Sequence, residues 1–197
     1  MTSVLLTAFE PYDRWTSNAS WLALVELTQH LPQEPTITTR LYPVDFAAVK
    51  QRLAKDLAAN YDHAIHLGQA PGSSRVQLEA IGINVGGSGH QTPDQYLPLS
   101  DDGPVAFRSP LPLADWAIKL REGGIPAQVS YHAGTYLCNA TLYWNCYLAE
   151  RLSIMTQAAF IHLPLDVSQV VGEPHGMPSL STSLATKALR LILEELQ

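Results

Sequence analysis

The sequence predicts an α/β protein, a three-layer α/β/α sandwich around a twisted, mainly parallel open sheet. Short apolar runs that fit buried strands alternate with segments of helical periodicity through most of the 197 residues. Several of these runs are apolar almost throughout, which is typical of strands covered by helices on both faces. The length favours one domain, residues 1–197, with room for a sizeable core.

The composition gives no sign of nucleic-acid or membrane binding. Hydrophobic residues make up 46% and charged residues 15% of the chain, and the net charge is −6. The sequence has no basic run and no apolar segment long enough to span a bilayer, so we expect neither partner. The first residues, MTSVLLTAFEP, lack the basic region of a secretory signal, which indicates a cytoplasmic protein.

Three strands alternate with two helices in the N-terminal half of the prediction. Asn18 or Ser17 fits the N-cap of the first helix, and Asp45 fits that of the second. The third strand ends at the loop sequence GQAPG. The predicted ranges are residues 3–9 (strand), 18–30 (helix), 36–42 (strand), 46–59 (helix) and 63–67 (strand).

The C-terminal half continues the alternation around an irregular region. Residues 86–112 are rich in Gly, Pro, Ser and Asp without a sustained period, which is typical of a functional or mobile connection. Ser179 or Ser181 begins the terminal helix. The other predicted ranges are residues 75–84 (strand), 113–122 (helix), 127–131 (strand), 137–151 (helix), 158–163 (strand) and a last helix to about residue 196.

Cys138 stands in the first turn of a predicted helix. Unpaired backbone N–H groups and the positive end of the helix dipole favour a thiolate there, and the thiolate is the nucleophilic form of cysteine. The competing interpretation is a small buried hydrophobe. Cys146 lies two turns further on, roughly 12 Å away at the helical rise. We therefore expect two free thiols rather than a disulfide.

A histidine and an acid complete a possible thiol active site. Ligands of parallel sheets bind at the carboxyl ends of strands, and this rule places Cys138 and His162 at one edge. His162 ends the last strand, which we expect to lie beside the strand leading to Cys138, and it is the best candidate for a general base. Glu79 is an acid within an apolar strand, so it either orients the imidazole or forms a structural ion pair with Arg75 or a lysine.

Metal and phosphate binding are not predicted. His63 and His66 are three residues apart on a strand and face opposite sides, so they cannot chelate one ion together. The sequence GGSG at residues 86–89 lacks the Gly-Lys-Ser/Thr ending of a phosphate loop.

Five blocks of sequence, spread over nearly the whole chain, match one known family. The blocks are residues 6–12 (LTAFEPY), 65–72 (IHLGQAPG), 76–84 (VQLEAIGIN), 127–139 (AQVSYHAGTYLCN) and 160–164 (FIHLP). On these blocks the chain resembles pyrrolidone-carboxylate peptidase (pyroglutamyl peptidase I), a family of cytosolic cysteine peptidases. The cysteine block is the longest and most specific of the five.

The resemblance implies an exopeptidase that removes an N-terminal pyroglutamyl (5-oxoprolyl) residue from peptides through a thioester. It makes Cys138 the nucleophile, His162 the general base and then acid, and Glu79 the residue that orients the imidazole. It implies no cofactor, and it implies a homodimer or homotetramer.

The resemblance also implies how the pyroglutamyl ring is bound. Aromatic and apolar side chains grip a flat, neutral lactam, and amide groups select it. The implied substrate-binding residues are Phe9, Tyr12, Tyr136 and Leu137 around the ring, Gln69 beside the ring and the oxyanion, and Thr92.

Two departures from the family concern the same site. The family often has Phe where Tyr12 stands, and its run Ala-Arg-Ile-Pro-Asp reads HQTPD here, at residues 90–94. Gln91 therefore replaces an arginine thought to help the oxyanion site, and Arg75 or Arg108 are candidates to substitute for it.

These departures keep an alternative open, a pyroglutamate-binding homologue whose catalysis is impaired by the altered loop at residues 85–94. A second alternative is an unrelated α/β enzyme such as a nucleoside phosphorylase, because its sheet would give a similar sequence pattern.

Overall fold

The structure, a computed structural model, describes residues 1–88 and 91–197. The strands are β1 (Ser3–Phe9), β2 (Thr36–Tyr42), β3 (His63–Gln69), β4 (Val76–Glu79), β5 (Ile81–Ile83), β6 (Ala106–Arg108), β7 (Ala127–Ser130), β8 (Gln157–Leu163), β9 (Leu165–Asp166) and β10 (Ser179–Leu180). The helices are α1 (Ala19–Thr28), α2 (Phe46–Leu57), α3 (Leu113–Glu122), α4 (Leu137–Leu152), α5 (Val167–Val170) and α6 (Thr182–Glu194). Asn18, Asp45 and Ser181 cap α1, α2 and α6 through their side chains.

The central sheet has six strands in the order β2-β1-β3-β8-β4-β7. Strands β2, β1, β3 and β8 run parallel to one another, whereas β4 pairs antiparallel with β8 and parallel with β7. The predicted fold class, a mainly parallel α/β/α sandwich, is confirmed.

The predicted strand over residues 75–84 is wrong in one respect, because it is divided between two sheets. At Ala80 the N–H donates to Ser130 of β7, and the carbonyl accepts from Ser109 beyond β6. The chain therefore leaves the central sheet after Glu79, and β5 pairs with β6 in a separate two-stranded sheet. Apolar residues recur through both halves, although their alternation changes phase between Leu78 and Ile81.

Helices cover both faces of the central sheet. One face packs against α1, α3 and α6, and the other packs against α2 and α4. Alternation along β1 serves both layers, because Leu6 joins the first core and Leu5 joins the second. Within the described ranges, no helix combines the length and apolar character needed to cross a bilayer.

The irregular region folds back onto the start of α4. Its described residues include a single 3₁₀ turn at Pro93–Gln95, and Gly86 pairs with Leu97 in an isolated bridge. The N–H of Gly87 donates to the carbonyl of Thr135, 2.9 Å away, just before α4. His90, the first residue of the altered family run, lies outside the described residues.

Candidate active site

Cys138 lies in the first turn of α4, as the sequence predicts. A turn at Gly134, whose φ of +78° suits glycine, leads into the helix. The N-cap residue, Tyr136, makes no side-chain hydrogen bond to the first turn, so the N–H groups there are open to a ligand. The Cys138 side chain is partly exposed.

Asn139 holds this helix start in place. Its side-chain oxygen accepts from the N–H of Ile83 at 2.8 Å, and its amide nitrogen donates to the carbonyls of Ile83 and Val85 at 2.9 Å each. The buried amide thus fastens α4 to β5, next to the nucleophile. This role was not predicted from the sequence, although Asn139 is the last residue of the cysteine block.

Glu79 and His162 form a buried pair. Nδ1 of His162 donates to Oε1 of Glu79 at 2.7 Å, and the two residues are 8% and 1% exposed. Antiparallel pairing explains the contact, because Glu79 lies opposite Phe160 in the β4–β8 register and His162 is the next side chain on the same face. The sequence left two interpretations of Glu79, a catalytic role or a structural ion pair with Arg75 or a lysine. The ion pair is excluded, because the partner of Glu79 is the imidazole of His162.

The route by which Cys138 reaches this pair differs from the expected one. We expected β8 to lie beside the strand that leads to Cys138, but β4 lies between β8 and β7. Because β7 runs opposite to β8, its carboxyl end points away from the edge where His162 lies. The loop of residues 131–136 brings the chain back, so the predicted proximity holds for a different reason.

The imidazole of His162 is held in its protonated form. Burial by itself lowers the pKa of His162, but negative charge on the Cys138 sulfur, a close interaction with that sulfur and the Glu79 carboxylate together raise this pKa to about 10. The His162 ring therefore carries a positive charge beside the Cys138 sulfur. Cys146 differs, because burial raises the pKa of its thiol to about 12 and keeps it protonated.

His66 is a hydrogen-bonded core residue, one of the interpretations left open by the sequence. Its Nδ1 lies 2.8 Å from Oγ1 of Thr7, and its Nε2 lies 3.1 Å from Oδ1 of Asn145. Burial lowers the pKa of His66 to about 4, so the ring is neutral. It stacks on Phe160, whose ring lies 4.9 Å from that of His162.

Gly68 makes room for the sulfur. A Cβ atom at this position would lie 2.7 Å from the Phe160 ring and 2.9 Å from Sγ of Cys138. Strand β3 pairs with β8 so that Gly68 faces His162. The absence of a side chain therefore allows the nucleophile to lie against the strand next to its base.

We expect Gly68→Ala to lower kcat/KM by about 100-fold, because a displacement of the reacting atom by about 1 Å costs about that much. Overpacking should also cost about 1–3 kcal/mol of unfolding free energy. Steady-state kinetics and urea unfolding measure both effects. Gly172→Ala is the matched control, since no atom lies within 4 Å of its added Cβ. Full activity in Gly68→Ala would show that the sulfur is not held against β3.

A cavity of about 260 Å³ opens beside Cys138 and His162. Of the predicted substrate-binding residues, five line it: Phe9, Tyr12, Gln69, Tyr136 and Leu137. Thr92 does not, because it is exposed at the start of the 3₁₀ turn. Tyr96, at the end of that turn, lines the cavity instead.

Tyr96 packs on Gly87, where a Cβ would lie 2.0 Å from its ring. Neither Tyr96 nor Val44, another lining residue, was predicted from the sequence. An aromatic residue followed by an apolar one within a polar loop was the available signal for Tyr96.

The cavity wall contributes little positive charge. Among the described lining residues, His162 alone has a side chain that carries positive charge. Arg75 and Arg108 do not line the cavity, and Gln91 is exposed, with its side-chain oxygen accepting from the N–H of Ser88 at 2.9 Å. In the part of the chain that the structure describes, no group of three or more His, Cys, Asp or Glu side chains is placed to hold a metal ion.

Fold and site together define a cysteine hydrolase, with a thiol at a helix start, an imidazole and a buried carboxylate on an α/β sandwich. The family model described as pyroglutamyl peptidase matches residues 2–197. The chain belongs to the pyroglutamyl peptidase family, which confirms the resemblance seen in the sequence blocks and the class of enzyme, a cysteine-type peptidase.

Related proteins and solved structures agree with this assignment. The chain is 37% identical over 195 residues to the pyrrolidone-carboxylate peptidase of Clavibacter michiganensis subsp. michiganensis, covering 93% of this chain and 90% of the relative. It is 34% identical over 195 residues to that of Bacillus subtilis, with 95% and 89% covered. The crystal structure of pyrrolidone carboxyl peptidase from Fervidobacterium islandicum AW-1 superposes with a TM-score of 0.94 at 34% identity, over 100% of this chain and 98% of that one.

Proposed function

We propose that this peptidase removes N-terminal pyroglutamyl residues with Cys138 as nucleophile, His162 as general base and acid, and Glu79 as the residue that orients the imidazole. The observation that carries the proposal is the 2.7 Å bond from Nδ1 of His162 to Glu79, which directs the other ring nitrogen toward the cavity that Cys138 lines. A buried acid in this position fixes the ring orientation and stabilises the imidazolium.

The reaction proceeds in two halves. The Cys138 thiolate attacks the carbonyl carbon that joins the pyroglutamyl group to the peptide, and the imidazolium of His162 gives its proton to the leaving nitrogen. The neutral imidazole then takes a proton from water, which attacks the thioester and releases pyroglutamic acid. The thiol returns to its original state, so no redox partner or cofactor takes part.

The cavity suits the pyroglutamyl group in shape and charge. Its lining is mostly aromatic and apolar, with Phe9, Tyr12 and Tyr136 available to pack against a lactam ring. An ordinary peptide has a charged amino group, which would lose its hydration in this cavity without gaining a carboxylate partner. We therefore propose that these residues, with Gln69 and Leu137, select the neutral ring.

Hydrolysis of pyroglutamyl aminomethylcoumarin, compared with the matched prolyl compound, tests the proposal. We expect turnover of the pyroglutamyl compound alone, and its loss after iodoacetamide. Equal turnover of both compounds would contradict the selection of the lactam. Turnover that survives complete alkylation would contradict the thiol mechanism. Cys138 and His162 both line the cavity and Glu79 bonds to His162, which favours catalysis over a binding-only protein.

The raised pKa of His162 predicts an alkaline limit to activity. The His162 ring must be protonated to release the amine, so kcat/KM should fall as the pH rises through about 10. Because the Glu79 carboxylate helps to raise this pKa, Glu79→Gln should move the limit to lower pH. Protonation of His162 also stabilises the fold. This contribution is fully present below the unfolded pKa of histidine, about 6.5, and is lost as the pH rises through about 10.

A pH profile of kcat/KM for both proteins measures the shift. Asp56→Asn is the control, because that carboxylate binds Arg40 and Tyr42 away from the cavity. An alkaline limit at the same pH in wild type and Glu79→Gln would contradict the assignment.

We further propose that residues 1–197 act as one domain, that the enzyme is cytoplasmic and that it forms a homodimer or homotetramer. Two free cysteines suit a reducing compartment, and a charged fraction of 15% suits a surface that is partly covered between subunits. Light scattering of the purified protein measures the assembly, and a monomer at every concentration would contradict it.

A further inference from the structure

A thiol that attacks an amide creates a negative oxygen, and this oxyanion needs hydrogen-bond donors. One donor is provided by the start of α4, where the N–H of Cys138 belongs to the first turn and has no intrahelical acceptor. Such sites commonly use a second donor from another part of the chain, so that the oxyanion is held from two directions.

The side chain of Gln69 is held in place by other contacts. Its oxygen accepts from the N–H of Ala19 at 2.7 Å and from the amide of Gln169 at 2.8 Å, which holds the side chain against α1. Its own amide nitrogen is buried and has no hydrogen-bond partner among the described residues.

Tyr12 places a hydroxyl in the cavity near the nucleophile. The side chain is half-buried and lines the cavity with Cys138. Its hydroxyl donates to the main-chain carbonyl of Gln69 at 3.3 Å, a long bond that is easily exchanged for a better acceptor. Burial, and then the negative charge on the Cys138 sulfur, raise the pKa of Tyr12, so the hydroxyl keeps its proton and remains a donor.

We propose that Tyr12 is a catalytic residue whose hydroxyl turns from the Gln69 carbonyl to donate a hydrogen bond to the oxyanion formed on the scissile carbonyl. Together with the N–H of Cys138, it completes the oxyanion site of an enzyme whose cavity wall has neither arginine nor lysine among the described residues. The inference rests on the proposed function, because it assigns a further residue to that reaction.

The test is Tyr12→Phe, which removes the hydroxyl and keeps the ring. Loss of one oxyanion donor lowers kcat by about 100- to 1,000-fold, and KM should change little because the donor acts in the transition state. Tyr143→Phe is the matched control, since its hydroxyl donates to the main-chain carbonyl of Pro104 at 2.9 Å and it does not line the cavity. Thermal unfolding and the rate at which iodoacetamide modifies Cys138 establish that the variant retains its fold and nucleophile.

Two inhibitors separate an oxyanion contact from a contact with the lactam ring. The aldehyde of pyroglutamic acid adds the thiol to form a hemithioacetal with an oxygen at the oxyanion position, whereas 2-pyrrolidone presents only the ring. We expect Tyr12→Phe to weaken binding of the aldehyde by about the same factor by which it lowers kcat, and to leave binding of 2-pyrrolidone unchanged.

Equal weakening of both inhibitors would overturn the proposal by reducing Tyr12 to a ring contact. Equal kcat in wild type and Tyr12→Phe would overturn this inference alone and leave the proposed function standing. Absence of turnover by the wild-type chain would overturn the proposed function and this inference with it.

Discussion

Replacing Cys138 by alanine is expected to lower turnover of pyroglutamyl amides by about four to six orders of magnitude, because the nucleophile of a covalent mechanism has no substitute. The fold should survive, since Cys138 is partly exposed at the edge of the core and alanine removes only its sulfur. Steady-state kinetics of the purified protein measure the loss of turnover, and circular dichroism and thermal unfolding show whether the fold is retained. Binding of 2-pyrrolidone should persist, which would show that the pocket is formed.

Cys146→Ala is the matched control for this variant. Cys146 lies on the same helix, but burial raises the pKa of its thiol to about 12, so it does not form the nucleophilic thiolate. We expect turnover within about twofold of wild type, with a small loss of stability from the truncated side chain. Turnover near wild type in Cys138→Ala, or its loss in Cys146→Ala alone, would overturn the assignment of the nucleophile.

Glu79→Gln is expected to lower kcat by about two to four orders of magnitude, since an amide in place of the buried acid of a triad no longer fixes the correct tautomer. The carboxylate accepts from Nδ1 of His162 at 2.7 Å, whereas an amide nitrogen in the same place would donate to that atom. Some activity should remain, because the nucleophile and the N–H donor at the start of α4 are unchanged.

Steady-state kinetics of Glu79→Gln test this, with Asp56→Asn as the control carboxylate. If kcat in Glu79→Gln equals that of wild type, Glu79 has a structural role only. If thermal unfolding shows that this variant is not folded, Glu79→Asp shortens the same carboxylate and gives a second measure of the dependence on position.

The local parts of the site could be predicted from the sequence. A glycine turn before an apolar helix placed Cys138 in a first turn, and the apolar run before His162 placed this residue at a strand end. These features depend on neighbouring residues, whose spacing and turn chemistry are visible in one segment.

The long-range parts could not be predicted in the same way. Glu79 and His162 are 83 positions apart, and their contact depends on β4 running antiparallel to β8. No pattern within either strand specifies that direction. Thr92 shows the same limit at the cavity mouth, because the 3₁₀ turn at Pro93–Gln95 turns it outward and directs Tyr96 inward.

The most direct test of the thioester mechanism is to trap the acyl-enzyme. The protein is mixed with a pyroglutamyl ester, the reaction is stopped with acid within the first turnover, and the digested chain is analysed by mass spectrometry. We predict that one pyroglutamyl group is attached to the peptide containing Cys138, that it is released by hydroxylamine, and that it is absent in Cys138→Ala. Two results would contradict the thioester mechanism. One is hydrolysis of the ester without a burst phase and with the pyroglutamyl group on another residue, and the other is hydrolysis without a burst phase and with no group attached.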